Sequence, residues 1–106
     1  MLDIFTWLPT RDLGEVTMKF MIAYTIKPAH FQAAVSRFLE TGGTPPDGLR
    51  MLGRWHSASK GWSIGDTDDV KKVYEWTTRW NDLLEFTVTP VMDDAELGEM
   101  LARIRS

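Results

Sequence analysis

The sequence predicts an α+β domain in which helices pack on one face of a four-stranded antiparallel sheet. Some segments alternate between apolar and polar residues, as strands do, and between them lie segments whose apolar residues recur at helical spacing. Their order along the chain is strand, helix, strand, strand, helix, strand, helix. The length of 106 residues suits one domain, and 43% hydrophobic with 25% charged residues is typical of globular proteins.

The composition excludes several classes of function. The net charge is -3 and the twelve Lys and Arg residues are spread along the chain, so we expect neither nucleic acid nor a membrane as partner. Cysteine is absent, which excludes disulfides and Cys-ligated metal sites. The apolar runs are too short to cross a bilayer, and the N-terminus lacks the pattern of a signal peptide. We therefore expect a cytoplasmic protein.

Residues 1–17 (MLDIFTWLPTRDLGEVT) follow no clean period, and Pro9 interrupts them. We expect a poorly ordered N-terminal extension there and a single domain over residues 18–106. In an alternative interpretation, the natural chain starts at Met18. If the extension is native, its apolar side chains are candidates for docking on an apolar groove or a neighbouring subunit: Ile4, Phe5, Trp7 and Leu8.

The first predicted strand covers residues 19–26 (KFMIAYTI), and its apolar face consists of Phe20, Ile22, Tyr24 and Ile26. A helix is predicted over residues 28–40, because Pro28 suits a first helical turn and apolar residues follow at helical spacing from Phe31 to Leu39. Gly42 and Gly43 are predicted to end this helix in left-handed geometry. Residues 45–48 (PPDG) are predicted to form a turn.

Residues 49–56 (LRMLGRWH) and 60–67 (KGWSIGDT) are predicted to form a hairpin. If two or four residues close it, Trp55 faces Trp62 across the two strands, with Gly53 opposite Ile64 on the same face. The other face then holds Arg54, His56, Gly61, Ser63 and Gly65. We place the tryptophan pair beneath the helices, on the face of Tyr24, and the Arg54–His56 side on the opposite face.

In the second half of the chain, the spacing of apolar residues predicts a helix, a strand and a last helix. Residues 68–82 form the helix, with Trp76 at the flank of an inward stripe of Val70, Val73, Tyr74, Thr77 and Trp80. Residues 83–91 (LLEFTVTPV) form the strand, with Leu84, Phe86 and Val88 on one face. The last helix begins at Asp93 or Asp94 and is expected to turn four side chains inward: Leu97, Met100, Leu101 and Ile104.

Helices on one face of such a sheet predict a ferredoxin-like sandwich. The second sheet face is expected to mix polar and apolar side chains: Lys19, Met21, Ala23, Thr25, Leu52, Arg54, His56, Glu85 and Thr87. Such a face is too apolar for open water and too polar for a core. We therefore expect a homodimer in which the sheet face packs on its two-fold mate.

Four segments carry a resemblance to a known family: MKFMIAYTIKPAHFQAAVSRFLETGGTPPDG, MLGRWH, TDDVKKVYEW and WNDLLEFTVTPVMDD. Together they resemble small bacterial proteins that form an uncharacterised domain family, over roughly residues 18–104. The resemblance implies a ferredoxin-like fold of the dimeric α/β-barrel type. It implies no particular reaction, because relatives on that fold include cofactor-free monooxygenases, heme-degrading enzymes, isomerases and stress-responsive proteins.

Two interpretations apply to the aromatic residues of the sheet. Trp55 and Trp62 are a cross-strand core pair, or they are walls of a small apolar pocket between sheet and helices. In the second case Tyr24 orients a small apolar or aromatic ligand with its hydroxyl. The candidate ligand-pocket residues are Tyr24, Trp55, Trp62, Trp80 and Phe86.

His56 is the weak catalytic candidate, because its side chain exchanges protons near neutral pH. A solvated histidine at the end of a strand is the competing interpretation. Glu85 is a candidate partner on the same sheet face, although the sequence does not fix their distance. His30 is expected on the surface, and heme ligation by His56 is a third and more remote hypothesis.

The aspartates before the second and last helices are expected to be caps. Asp66 or Thr67 would cap the second helix, with Asp68 and Asp69 in its first turn, where carboxylates favour the positive end of the helix dipole. A calcium loop needs more regularly spaced oxygen ligands, so we expect no metal site. We also expect no cofactor, because no phosphate loop or dinucleotide fingerprint occurs in the sequence.

These features favour a binding or structural module whose reaction, if any, the sequence does not state. The alternative is a small-molecule enzyme of the cofactor-free monooxygenase or isomerase kind, with its pocket between sheet and helices. A cavity beside the aromatic candidates distinguishes a binding site from a filled core.

Overall fold

The computed structural model describes residues 17–105. Within them lie seven elements in the predicted order: β1 (Met18–Ile26), α1 (Phe31–Thr41), β2 (Leu49–His56), β3 (Lys60–Thr67), α2 (Lys71–Thr78), β4 (Leu84–Val91) and α3 (Asp94–Arg105). Neighbouring strands are antiparallel, and the order across the sheet is β2-β3-β1-β4. This confirms the α+β prediction, and the arrangement is consistent with a ferredoxin-like fold. The predicted N-terminal extension falls on residues that lie, except for Thr17, outside the described part.

The register of the central strand β1 decides which side chains lie beneath the helices. Ile22 is opposite Ser63 and Tyr24 is opposite Gly61, so the small residues of β3 share a face with the large residues of β1. We call this the helix face, because α1 and α2 pack on it. The opposite side of the sheet, the open face, carries Ala23 and its partner Trp62.

The hydrophobic core lies between the helix face and the two helices. Val73 on α2 is its most completely buried side chain, at 0% exposure. The other buried core residues are Phe20, Ile22, Ala34, Leu49, Trp76, Trp80, Leu83 and Leu84. The core therefore combines side chains of β1, β2 and β4 with one side of α1 and one side of α2.

The β2–β3 hairpin has the predicted pairing. The amide of Ser57 donates to the carbonyl of Lys60 at 2.8 Å, so two residues close the turn, and Trp55 is opposite Trp62. A bulge at Leu52 shifts the register between Met51 and Gly53. Strict alternation along β2 therefore fails at Leu52.

Helix α1 starts three residues later than predicted. Ala29 has a positive φ of 68°, a conformation that interrupts a helix, so Pro28 lies in a turn and not in the first helical turn. His30 is exposed, as predicted. The predicted end is confirmed, since Gly42 has a left-handed φ of 71° and its amide donates to the carbonyl of Phe38.

Helix α2 is shorter than predicted, and its buried side is rotated. Trp76 is buried with Val73, whereas Val70 and Tyr74 are exposed, so Trp76 belongs to the inward side and not to its flank. At its start, the Asp69 carboxylate accepts the amide of Lys71 at 3.0 Å.

The predicted cap at Asp66 is wrong, because Asp66 lies within β3 and pairs with Arg50 at 2.7 Å. Thr67 is also a residue of β3, but its hydroxyl accepts the amide of Asp69 at 3.1 Å and so stabilises the entry into α2. The helix start thus depends on Asp69 and Thr67 together.

Helix α3 has the predicted start but not the predicted packing. Asp93 and Glu96 form a capping box, in which each side chain accepts the other residue's amide, at 2.8 and 3.1 Å. No residue of α3 is buried in the described chain, so the prediction of an inward apolar side is wrong. Its exposed apolar residues are Leu97, Leu101 and Ile104.

Among the described residues, none of the helices is long and apolar enough to cross a membrane.

Candidate functional site

An open cleft of about 250 Å³ lies between α1 and the helix face of the sheet. We call it the α1 cleft. Its sheet side is formed by Ile22, Tyr24, Ile26, Arg54, His56, Ser63, Leu84 and Phe86. Its helix and loop sides are formed by Phe31, Ala34, Val35, Phe38, Leu39, Gly43, Ser57, Ala58, Trp76 and Trp80. The walls are largely apolar, which is typical of sites for small molecules.

The polar feature of this cleft is a hydrogen bond of 2.7 Å between the hydroxyl of Tyr24 and Nδ1 of His56. Either atom can be the donor, according to the tautomer of His56. Tyr24 on β1 and His56 on β2 are both register partners of Gly61, which lies between them on β3. A Cβ at Gly61 would overlap the ring of Tyr24, so the glycine permits this contact.

Phe38 of α1 packs against the same pair of strands. Its ring makes an edge contact with His56 at 5.5 Å, and the guanidinium of Arg54 lies 5.1 Å from its centre. Arg54 also donates to the carbonyls of Gly43 at 2.8 Å and of Gly42 at 3.0 Å, at the end of α1. Arg54 thereby holds the end of α1 against β2, at one edge of the cleft.

The environment favours the neutral forms of both polar residues. Partial burial, followed by the nearby charge of Arg54, lowers the pKa of His56 below 6.5. Burial raises the pKa of Tyr24 above 10, with Arg54 acting in the opposite direction. In this neutral pair the imidazole is the group that can accept a proton, and the phenol is the group that can donate one.

The expectation that Trp55 and Trp62 share the face of Tyr24 is wrong. Both lie on the open face, opposite each other, with Trp62 paired to Ala23 of β1. They are 58% and 41% exposed, and neither lines the α1 cleft. The physical reason is the register of β1 and β3, which puts Gly61 and not Trp62 beneath the ring of Tyr24.

The expectation that His56 and Arg54 lie on the face away from the helices is also wrong. They lie on the helix face, since their partners across the hairpin are Gly61 and Ser63. Glu85 is paired with Thr25 on the open face, so it is not a partner of His56. The hydrogen-bond partner of His56 is Tyr24 instead.

The cleft therefore unites some of the predicted residues and adds others. Tyr24, Trp80, Phe86 and His56 meet there; ligand binding by them stays a prediction. Sequence reasoning did not assign Phe31, Phe38 or Arg54 to the pocket, although all three belong to its wall. One signal could have indicated the face, namely the small residues at every second position of β3: Gly61, Ser63 and Gly65. Small residues on one strand leave room for large side chains of its neighbours.

Among residues 17–105, no group of three or more His, Asp or Glu side chains could hold a metal ion. Two of the aspartates near the start of α2 have other partners: Asp66 pairs with Arg50, and the Asp69 carboxylate accepts the amide of Lys71.

A family model described as "Domain of unknown function (DUF3303)" matches residues 18–105. The chain belongs to this family. The DUF3303 match starts at the first residue of β1 and ends at the last residue of α3, so it includes every wall of the α1 cleft. Among solved structures, the chain is similar to MupZ from Pseudomonas fluorescens, at 18% identity over 84% of this chain and 82% of that chain, with a TM-score of 0.39. No curated protein matches this DUF3303 chain.

Proposed function

We propose that this protein is a binding module that takes a small, largely apolar molecule into the α1 cleft. The observation that supports this is the volume of about 250 Å³ between α1 and the sheet, with apolar walls on most sides. An engineered apolar cavity of about 150 Å³ is large enough for benzene. The cleft therefore has room for one aromatic ring with substituents, or for two fused rings.

The exposure of the cleft walls also favours a ligand over a purely structural role. Phe31, Phe38 and Leu39 lie along α1 at the cleft and remain exposed, although each is large and apolar. Covering apolar surface stabilises a complex by about 25 cal/mol per Å². A ligand seated between α1 and Phe86 would cover this surface.

The test uses a residue that can fill the cleft and a neighbour that cannot. Ala34 is buried at the cleft wall, while Ala33 is exposed on the same helix. Benzene, indole and naphthalene are added in thermal-shift and calorimetric titrations. We expect at least one to raise the Tm of the wild type and of Ala33→Leu, but not of Ala34→Leu. A wild type that responds to none of them, or an Ala34→Leu variant that responds equally, would contradict the proposal.

A second candidate function is an enzyme of the cofactor-free monooxygenase or isomerase kind. The observation that favours it is the hydrogen-bonded pair of Tyr24 and His56 in the cleft wall, since proton transfer by a positioned side chain is a common catalytic device. A molecule found by the titrations is incubated with the wild type and followed by mass spectrometry. Turnover that Tyr24→Phe and His56→Gln abolish supports an enzyme, whereas an unchanged ligand supports a binding module.

We further propose a homodimer through the open face of the sheet, in the manner of the dimeric α/β barrels. Trp55, Trp62 and Leu52 are large, apolar and exposed in the single chain, and Trp55 and Trp62 pair on the open face. Light scattering at micromolar concentration should give twice the chain mass. Trp55→Glu should give the single-chain mass, while Tyr74→Glu, at an exposed position of α2, should remain dimeric. A monomeric wild type would refute the dimer.

A further inference from the structure

Among the described residues, one side chain brings a permanent charge to the wall of the α1 cleft. Arg54 is the charged side chain of its wall, and none of the described wall residues carries a carboxylate. Both terminal nitrogens of Arg54 already donate to carbonyls at the end of α1. The potential in the cleft therefore favours negative charge, yet a ligand carboxylate does not meet a free bidentate guanidinium.

The Tyr24–His56 pair offers a binding position for one polar group of the ligand. The hydroxyl of Ser63 is already used, since it donates to the carbonyl of Ile22 at 3.3 Å. When the hydroxyl of Tyr24 donates to Nδ1 of His56, its oxygen can still accept one hydrogen bond. A ligand hydroxyl that donates to this oxygen completes a chain from the ligand through Tyr24 to His56.

The protonation states decide the direction in which a proton moves between the ligand, Tyr24 and His56. The neutral ring of His56 can accept a proton, but burial and Arg54 make it a weaker base than a free histidine, so it needs an acidic donor. A simple phenol has a pKa of about 10, and an unperturbed histidine has one of about 6.5, so that proton transfer is unfavourable by more than about a thousandfold. A hydroxyl made more acidic by conjugation, in an activated phenol or an enol, matches His56 much better. The charge of Arg54 stabilises the resulting oxyanion.

We infer that the ligand of the α1 cleft is an activated phenol or an enol, which binds as its oxyanion after giving its proton to the Tyr24–His56 pair. The ligand O–H bond breaks as its proton joins the oxygen of Tyr24, and the Tyr24 proton moves to Nδ1 of His56. The products are a ligand oxyanion, a neutral tyrosine and an imidazolium ion, so no oxidant or reductant is needed. This inference rests on the proposed binding function of the cleft.

Three probes of similar shape test it: nitrobenzene, 4-nitroanisole and 4-nitrophenol. Calorimetry measures the affinity of each, and absorbance separates bound nitrophenolate from bound nitrophenol. At a pH just below the solution pKa of 4-nitrophenol, we expect about tenfold tighter binding of 4-nitrophenol than of the other two, and the nitrophenolate band. These comparisons need no variant, so they remain decisive if a substitution prevents folding.

Variants then assign the effect to the two residues. Tyr24→Phe and His56→Gln should lose the nitrophenolate band and the tenfold preference for 4-nitrophenol over nitrobenzene, while His30→Gln, at an exposed histidine outside the cleft wall, should keep both. If none of the probes binds the wild type, the proposed function itself fails. If all three bind equally, or if the band persists in both variants, the cleft binds ligands but this inference is overturned.

Discussion

The hydroxyl of Tyr24 lies 2.7 Å from Nδ1 of His56, although their strands are separated by β3. The two side chains meet above Gly61, the register partner of both residues. Side chains on strands that are not neighbours are usually too far apart for a direct hydrogen bond. Tyr24 and His56 can reach each other because Gly61, which lies between them, has no side chain. The polar end of the α1 cleft is therefore produced by three strands and one glycine.

The first prediction concerns Gly61. A Cβ at this position overlaps the Tyr24 ring, so Gly61→Ala should lower the free energy of unfolding by about 1–3 kcal/mol and separate Tyr24 from His56. In a Tyr24→Ala background the same substitution should cost much less, because the obstructing ring is gone. Urea unfolding of the four proteins in this double-mutant cycle measures the coupling. Equal costs in both backgrounds would show that the ring does not occupy the space above Gly61.

The second prediction concerns the pH dependence of stability. The folded state lowers the pKa of His56 below 6.5, so below this pH the unfolded chain binds more protons at this residue. The contribution of His56 to stability should be complete above pH 6.5 and decrease as the pH falls through the lowered pKa. NMR titration of the His56 ring measures the pKa directly. Arg54→Gln should raise it, since it removes the second cause of the shift; an unchanged titration would contradict the electrostatic explanation.

The third prediction concerns the end of α1. Arg54 donates to the carbonyls of Gly42 and Gly43 and stacks on Phe38, a combination that the single ammonium of a lysine does not reproduce. Arg54→Lys should therefore reduce stability by about 1–2 kcal/mol. Arg79→Lys is the matched control, because Arg79, at the C-cap of α2, forms an exposed pair with Glu75 that contributes only about 0.5 kcal/mol. Equal losses in the two variants would mean that Arg54 does not fix the helix end.

Much of the fold could be predicted from local pattern. Alternation in β2 and β3 predicts the cross-strand pair of Trp55 and Trp62, since the turn sets the register of the residues between it and the bulge at Leu52. Alternation does not predict which face the helices cover. That depends on the register of β1 against β3, which places Tyr24 opposite Gly61 and is set by packing between distant segments.

The other wrong predictions, for the three helices, also concern features that depend on packing or on local backbone conformation. The late start of α1 depends on the backbone of Ala29, which a helical spacing pattern does not reveal. The rotated side of α2, where Trp76 replaces Tyr74, depends on how the helix lies on the sheet. Helical spacing predicts α3 itself, but its predicted inward side is wrong, because Leu97 and Leu101 find no core within the described chain.

The fourth prediction concerns the contact between α1 and the turn before β4. Both carboxylate oxygens of Asp82 accept from Arg37, each at 2.8 Å, and this hydrogen bond lowers the pKa of Asp82 from 3.8 to about 2. The stabilising contribution should be complete above pH 3.8 and be lost as the pH falls through about 2. Carboxyl NMR titration should find the Asp82 pKa close to 3.8 in Arg37→Gln. A low pKa that survives this substitution would assign the shift to another cause.

The fifth prediction separates the stability of α3 from that of the sheet. Gly98 lies within α3, and a Cβ there meets no atom within 4 Å, so Gly98→Ala adds helix propensity without a clash. Alanine is favoured over glycine in a helix interior by about 1 kcal/mol. Since no residue of α3 is buried, this gain should slow amide exchange in α3 and raise the helical circular dichroism, while exchange in β1 stays unchanged. Slower exchange in β1 as well would show that α3 and the sheet unfold together, coupled through the hydrogen bond from Lys19 of β1 to Glu96 of α3.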